Sequence, residues 1–196
     1  LVVLGFDGAM FHDSTGLVAT EVATGHQQVV GVWEQPYCTA GEGWQVPEGL
    51  VDDAVAGAFQ RWNVWRMYCD PPYWEGWVAQ WAGQYGVQRV VEFRTNRPAI
   101  MSRLLLAYST AIQTGQLSHE GNPAFARHIA NAYKQELRQR DEQGRPYWYI
   151  RKERGDSPNK IDLAMAAVLS WEARNIAIAA GVGNAPKEIS GDVGWL

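Results

Sequence analysis

The first half of the chain carries short apolar stretches, bounded by glycine, proline and polar residues, that are typical of β-strands. Residues 1–6 are apolar almost without interruption, which predicts a central strand buried on both faces of a sheet. A Gly25-His26 step separates the next two stretches and predicts a hairpin. The predicted strands cover residues 1–6, 16–24, 28–34, 64–69 and 88–93.

Apolar residues at helical spacing fill the intervals after the third strand. Asn122-Pro123 offers a helix cap followed by a favourable first position, and we expect that helix to continue to about Arg140. A short strand is expected over 147–152. Three consecutive strands followed by strand–helix units predict an α/β fold in which helices cover a mixed sheet. The predicted helices cover residues 47–62, 74–86, 96–114, 122–140 and 159–180.

The length and composition are those of one globular domain. The 196 residues suffice for a single well-buried core, and the chain is 46% hydrophobic and 19% charged. We expect the domain to cover 1–180, followed by a flexible tail over 181–196 that is rich in glycine and polar residues. Cys38 and Cys69 lack a metal-ligand spacing, which favours free thiols in a reducing compartment.

Charge is distributed unevenly along the chain, which has a net charge of -4. Residues 1–60 contain eight acidic residues and no Lys or Arg, so all 17 basic residues follow. Between Arg138 and Lys160 there are seven basic residues and four acidic ones. This distribution permits a basic face beside an acidic site, although ordinary solvated surface explains any single charge equally well.

Three aspartates interrupt apolar segments. Asp7 ends the first predicted strand, Asp70 ends the fourth, and Asp162 stands at the apolar start of the last predicted helix. Aspartate is depleted in strands, so its place at the ends of two core strands is unusual. If these strands are parallel neighbours, their carboxyl ends meet at one edge of the sheet, where ligands bind in such folds. The last helix, packed across that edge, would bring in the third carboxylate.

Carboxylates that converge in this way repel one another, and a divalent cation removes that repulsion. Oxygen ligands without a nearby Cys or His cluster favour Mg²⁺ or Mn²⁺, and two such ions could activate water and stabilise the leaving oxygen of a phosphodiester. The spacing alone leaves an alternative open. Asp7 and Asp70 could simply begin turns, and Asp162 could stabilise a helix N-terminus.

Four segments, taken in order, resemble the nuclease domain of phage terminase large subunits. This resemblance implies a ribonuclease H-like fold, in which a mixed five-stranded sheet of order 3-2-1-4-5, with strand 2 antiparallel, is flanked by helices and accompanied by a small extra strand or hairpin. The segments are GFDGAMFHDSTGLVA (5–19), MYCDPPYWEGWVAQWAGQYG (67–86), GQLSHEGNPAFARHIANA (115–132) and KIDLAMAAVLSWEA (160–173).

The same resemblance implies a DNA endonuclease with two divalent ions, Mg²⁺ or Mn²⁺, that cuts concatemeric viral double-stranded DNA during genome packaging. It maps the acidic metal ligands onto Asp7, Asp70 and Asp162. In the family an ATPase domain precedes the nuclease, and the motor with its small terminase subunit and portal works in the host cell cytoplasm, not in a membrane or the mature virion. The chain contains no GxxxxGK[ST] motif, as expected of a C-terminal fragment.

Further residues are weaker candidates, because a turn, an exposed lysine or a structural histidine explains each of them as well. Trp62, Trp74, Trp77 and Trp81 repeat at helical spacing, which favours core packing over base stacking. Candidates for supporting the metal ligands are Asp13, Asp156, Lys152, Lys160 and His128. Candidates for DNA contact are Arg138, Arg140, Arg145, Trp148, Arg151 and Lys152.

Two other functions stay open for this arrangement. The first is a different enzyme of the same fold, such as a Holliday-junction resolvase or a transposase-like strand transferase, which would use the same three carboxylates. The second is a non-catalytic module that docks onto a packaging motor, with structural aspartates. Preference for branched DNA would favour the first, and failure to bind any divalent ion would favour the second.

Overall fold

The centre of the fold is a mixed sheet in which strand β1 has neighbours on both sides. The computed structural model describes residues 1–10, 13–36, 43–155 and 157–183. In that part of the chain the sheet has six strands, in the order β5-β4-β1-β2-β3-β6. The strands are β1 (Val2–Gly8), β2 (Ser14–Glu21), β3 (His26–Glu34), β4 (Val64–Cys69), β5 (Val90–Glu92) and β6 (Ser118–His119).

The directions of the strands agree with the predicted topology. Strand β2 is antiparallel to both β1 and β3, whereas β4 is parallel to β1 and β5 is parallel to β4. The predicted order of the five main strands is therefore confirmed. The short β6 adds a sixth strand, parallel to β3, at the far edge from β5.

Helices cover both faces of the sheet. They are α1 (Glu48–Arg61), α2 (Glu75–Tyr85), α3 (Pro98–Gln113), α4 (Pro123–Ala130) and α5 (Asp162–Ala179). Because side chains alternate along a strand, Leu4 and Phe6 of β1 pack in the core that α1 and α2 cover, while Val3 packs with α5. Trp74 and Trp81 are buried in the first of these cores, as their spacing predicted.

Helix α5 lies unusually close to β1. A Cβ atom added to Gly5 would lie 2.0 Å from the carbonyl oxygen of Ala166 and 2.5 Å from the amide nitrogen of Ser170. Only glycine leaves room for the helix backbone at this position. The close approach brings the first turn of α5 to the end of β1 that carries Asp7.

The prediction of one helix over 122–140 is wrong. Helix α4 ends at Ala130, and the following residues form β7 (Tyr133–Arg140), which pairs antiparallel with β8 (Pro146–Arg151) around the predicted turn. The segment YKQELRQR has helix-forming side chains but no apolar stripe to bury against a neighbour. Pairing with β8, which packs against α3, outweighs the weak local preference for helix.

Two predictions from the sequence concern residues outside the described ranges, namely the flexible tail beyond residue 183 and the candidate Asp156; Cys38 lies there as well. Cys69 is buried with a free thiol, and burial raises the pKa of that thiol. None of the helices in the described part of the chain is long and apolar enough to cross a membrane.

Candidate metal centre

Asp7 and Asp70 lie side by side because β1 and β4 are parallel neighbours in register. Phe6 is opposite Cys69, and the Asp70 amide donates a hydrogen bond to the Phe6 carbonyl oxygen at 3.0 Å. Alternation along each strand turns Asp7 and Asp70 toward the face that carries α5, since Val3 and Tyr68 pack there. The two carboxylates therefore lie at adjacent strand ends and project from the same face of the sheet.

Asp162 reaches this position as the first residue of α5. Gly16, the partner of Asp7 in β2, has no side chain, and a Cβ atom there would lie 3.1 Å from Leu163 Cα. The start of α5 thus lies directly over the end of β1. The pKa of Asp7 is raised well above its usual range, first by burial and then by the negative charges of Asp162, Asp70 and Asp13.

Asp13 supplies a fourth carboxylate, and Asp7, Asp13, Asp70 and Asp162 together are called the acidic cluster below. Lys152 Nζ lies 2.5 Å from Asp13 Oδ2, and Lys160 Nζ lies 3.2 Å from Asp13 Oδ1. The Oδ1 atom is buried, and its contact with Lys160 lacks the geometry of a hydrogen bond. The structure therefore brings the sequence candidates Asp13, Lys152 and Lys160 to the cluster. Lys152, which was also a DNA-contact candidate, points into the site.

Asp162 is buried with few polar partners. The residue is 8% exposed, and Ser14 Oγ donates a short hydrogen bond to its Oδ2 atom. Burial and the charge of Asp13 raise the pKa of Asp162 to about 6, against the lowering effect of Ser14 and Lys152. The ionised carboxylate is thus held at a free-energy cost near neutral pH.

Asp70 is oriented by Thr95, which follows β5. The Thr95 hydroxyl donates to Asp70 Oδ2 at 2.6 Å, and the Thr95 amide donates to Oδ1 at 3.2 Å. Burial raises the pKa of Asp70, and these hydrogen bonds counteract that effect. Tyr149 completes this side by donating its hydroxyl to the Thr95 carbonyl oxygen at 3.2 Å.

Ser14, Thr95 and Tyr149 were missed as site residues. Hydroxyl residues are common in strands and loops, so their types carry no signal. Only the position of Ser14, directly after Asp13 and at the start of a predicted strand, could have suggested a role for it.

The chemistry of the donor set fits a hard divalent cation. Four carboxylates face two lysines, so negative charge is in excess, and all of the donors are oxygen atoms. Within the described residues, however, no three acidic, histidine or cysteine side chains already form a cage for a metal ion. Ser14 and the two lysines hold Asp162 and Asp13 instead. Binding of an ion by the predicted ligands Asp7, Asp70 and Asp162 would therefore require adjustment of these partners.

His128 is fully buried beneath the start of α5. Its Nδ1 atom accepts a hydrogen bond from the Leu163 amide at 3.0 Å, and its Nε2 atom forms a short hydrogen bond with Glu34 Oε1. That bond is the main reason why the pKa of Glu34 is lowered. His128 is thus a satisfied internal residue next to the acidic cluster. His119 lies on β6, at the far edge of the sheet.

The DNA-contact candidates lie on the β7–β8 hairpin and differ in their exposure and in their contacts with the rest of the chain. Arg138 and Arg151 are exposed. Arg140 donates to the Gly144 carbonyl oxygen at 2.8 Å, and Arg145 forms an ion pair with Asp141 at 2.7 Å. Trp148 packs against the core on the α5 side of the sheet, with Lys134 Nζ 5.1 Å from its ring centroid.

Comparison with solved structures places the fold. The chain superposes on the large terminase of bacteriophage HK97 with a TM-score of 0.65 and 16% identity, covering 87% of this chain and 38% of that one. The large terminase nuclease of thermophilic phage G20c gives a TM-score of 0.58 at 13% identity, over 88% of this chain and 81% of that one. The same G20c nuclease with bound magnesium gives 0.53 at 11% identity, covering 88% of this chain and 80% of that one.

The chain is an α/β protein with the ribonuclease H-like nuclease fold. Within that class, its fold is that of the nuclease domain of phage large terminases, as the resemblance implied. The gene 13 proteins of Mycobacterium phages D29 and L5 are each 32% identical to it over 187 residues, covering 88% of this chain. The chain spans 29% of the length of these relatives. No protein-family model matches the sequence.

Proposed function

We propose that this chain is the metal-dependent DNA endonuclease domain of a viral terminase large subunit. The observation that carries the proposal is the acidic cluster at the ends of the adjacent parallel strands β1 and β4. The raised pKa of Asp7, caused by burial and by three neighbouring carboxylates, supports this proposal, because a divalent cation would relieve that repulsion. The magnesium-bound structure of the G20c nuclease, which has this fold, supports the same choice of ion.

The residues of the chain have separable tasks in phosphodiester hydrolysis. The proposed ligands of the divalent ions are the carboxylate oxygens of Asp7, Asp70 and Asp162. Thr95 orients the Asp70 carboxylate through its hydroxyl hydrogen bond. A bound pair of Mg²⁺ or Mn²⁺ ions would supply charge stabilisation at the phosphate and a lowered pKa for the attacking water. Lys152, which lies beside Asp13 and Asp162, is the residue proposed to contact a phosphate oxygen of the substrate.

The proposed substrate is concatemeric double-stranded DNA, gripped mainly through its phosphates and therefore weakly at high salt. Arg138 and Arg151 on the hairpin are the freest of the predicted DNA-contact residues, whereas Arg140, Arg145 and Trp148 have partners within the chain. The partners would be the ATPase domain of the complete protein, a small terminase subunit and a portal, in the host cytoplasm. A large terminase from another thermophilic bacteriophage, which shares the fold, was solved in complex with ADP.

Cleavage of supercoiled plasmid with Mn²⁺ or Mg²⁺ tests this function. Asp70→Asn is expected to lower the rate on the order of 100-fold, the equivalent of about 3 kcal/mol of transition-state stabilisation. Asp53→Asn is the matched control, because Asp53 is exposed on α1. Cleavage that survives EDTA, or that Asp70→Asn leaves unchanged, would contradict the proposal.

A further inference from the structure

The N-terminus of α5 lacks a cap from its own sequence. The residue before the helix is Ile161, whose side chain makes no capping hydrogen bond. The Ala164 and Met165 amides both donate to the Ile161 carbonyl oxygen, at 2.9 and 3.1 Å. The Leu163 amide has no acceptor of this kind, and a buried amide without one is costly. Since Asp162 is the first residue of this turn, its position depends on how the turn is held.

His128 supplies the missing acceptor from another helix. Its Nδ1 atom accepts the Leu163 amide at 3.0 Å, and a ring nitrogen that accepts carries no proton. The proton of the neutral ring therefore lies on Nε2, where it is donated to Glu34 Oε1. The ring is fully buried, so water cannot replace either bond.

Glu34, the last residue of β3, is itself fixed. Arg127 donates to both of its carboxylate oxygens, at 2.8 and 2.6 Å, and leaves Oε1 in contact with the ring. A carboxylate behind a histidine fixes the tautomer of the ring and orients it, as in many sites where the histidine itself holds a metal. Here the ring holds a helix end instead.

We propose that Glu34 and His128 are positioning residues of the candidate metal centre: His128 caps α5 through the Leu163 amide and so places Asp162, and Glu34 selects the ring tautomer that makes this possible. The inference rests on the proposed function, because it assigns Asp162 to the metal site. It adds Glu34 of β3 and His128 of α4 to the site. Neither forms a hydrogen bond with a carboxylate of the acidic cluster in the described part of the chain.

Two substitutions at one position separate the roles of the ring nitrogens. In His128→Asn the amide oxygen lies near the place of Nδ1, so the acceptor for Leu163 is kept. In His128→Gln the amide nitrogen lies near the place of Nε2, so the bond to Glu34 is kept and the cap is lost. Titration calorimetry with Mn²⁺ is expected to show about 10-fold weaker binding for His128→Gln, and a much smaller loss for His128→Asn.

The Mn²⁺ dependence of plasmid cleavage is a second measurement of the Mn²⁺ affinity of these variants. His128→Gln should raise the half-saturating Mn²⁺ concentration and recover most of its maximal rate at high Mn²⁺, whereas general damage to the fold would lower the maximal rate. Equal Mn²⁺ affinity in the unchanged chain and both variants would overturn the inference alone. Absence of Mn²⁺ binding by the unchanged chain would overturn the proposed function.

The tautomer can be read without any metal. Nitrogen chemical shifts of the His128 ring are expected to show an unprotonated Nδ1 in the unchanged chain, and a loss of this single tautomer in Glu34→Leu, which leaves Nε2 without its acceptor. A protonated Nδ1 in the unchanged chain would overturn the inference, even if neither His128 variant folds.

Discussion

Replacement of Asp162 by asparagine is expected to stabilise the metal-free protein at neutral pH. The pKa of Asp162 is about 6 in the folded chain against 3.8 for an ordinary aspartate. The folded state therefore binds the proton more tightly than the unfolded state does, and ionisation destabilises the fold. This destabilisation is fully present above about pH 6 and is lost as the pH falls toward 3.8.

The magnitude follows from the difference between the two pKa values, which corresponds to about 3 kcal/mol at about 1.4 kcal/mol per pH unit. An asparagine can still accept the hydrogen bond from Ser14, so little is lost in exchange. For a domain of this size, about 3 kcal/mol raises the melting temperature by roughly 6–12 °C.

Urea unfolding in EDTA, at pH 8 and at pH 5, measures this effect. The free energy of unfolding of Asp162→Asn should exceed that of the unchanged chain by about 3 kcal/mol at pH 8 and by about half of that at pH 5. Asp53→Asn, on the exposed surface of α1, should change stability by less than about 0.5 kcal/mol at either pH. If Asp162→Asn gains the same stability at both pH values, or loses stability at pH 8, the electrostatic explanation is refuted.

Two further substitutions test other parts of the structure. Thr95→Ala removes the hydroxyl bond that counteracts the raised pKa of Asp70, so cleavage below neutral pH should fall roughly fivefold, the equivalent of about 1 kcal/mol, while Thr95→Ser retains the profile of the unchanged chain. Gly5→Ala places a methyl group on the backbone of α5 and should cost about 3 kcal/mol or more in urea unfolding. Gly57→Ala, with open space around it in α1, should gain about 0.5–1 kcal/mol; comparable stability of the two alanine variants would contradict the close contact.

The strands that carry the candidate ligands could be predicted because they are buried on both faces. A continuous apolar run such as residues 1–6 has few structural alternatives, and an aspartate directly after it must lie at a strand end. The pattern did not predict that β1 and β4 are neighbours, because β2, β3 and α1 lie between them in the chain. That pairing came from the strand order that the resemblance implies, and the register shows the ends of the two strands side by side.

The partners of these ligands could not be predicted in the same way. Ser14 meets Asp162 across 148 positions of sequence, and Glu34 meets His128 across 94. Such contacts depend on side-chain directions that only the packed structure defines. The hairpin after α4 is a related case, because residues 133–140 favour helix locally and adopt a strand only through pairing with β8.

The distribution of charge within the acidic cluster also bears on where a cation is most favourable. Both lysines contact Asp13, and Lys152 lowers the pKa of Asp162 as well. Asp7 is different, because each neighbouring charge that shifts its pKa is a carboxylate that raises it. Positive charge from the protein is thus concentrated at the Asp13 end, and repulsion is concentrated around Asp7. Because a divalent ion gains most where uncompensated negative charge is greatest, Asp7 is expected to contribute more to its affinity than Asp13 does.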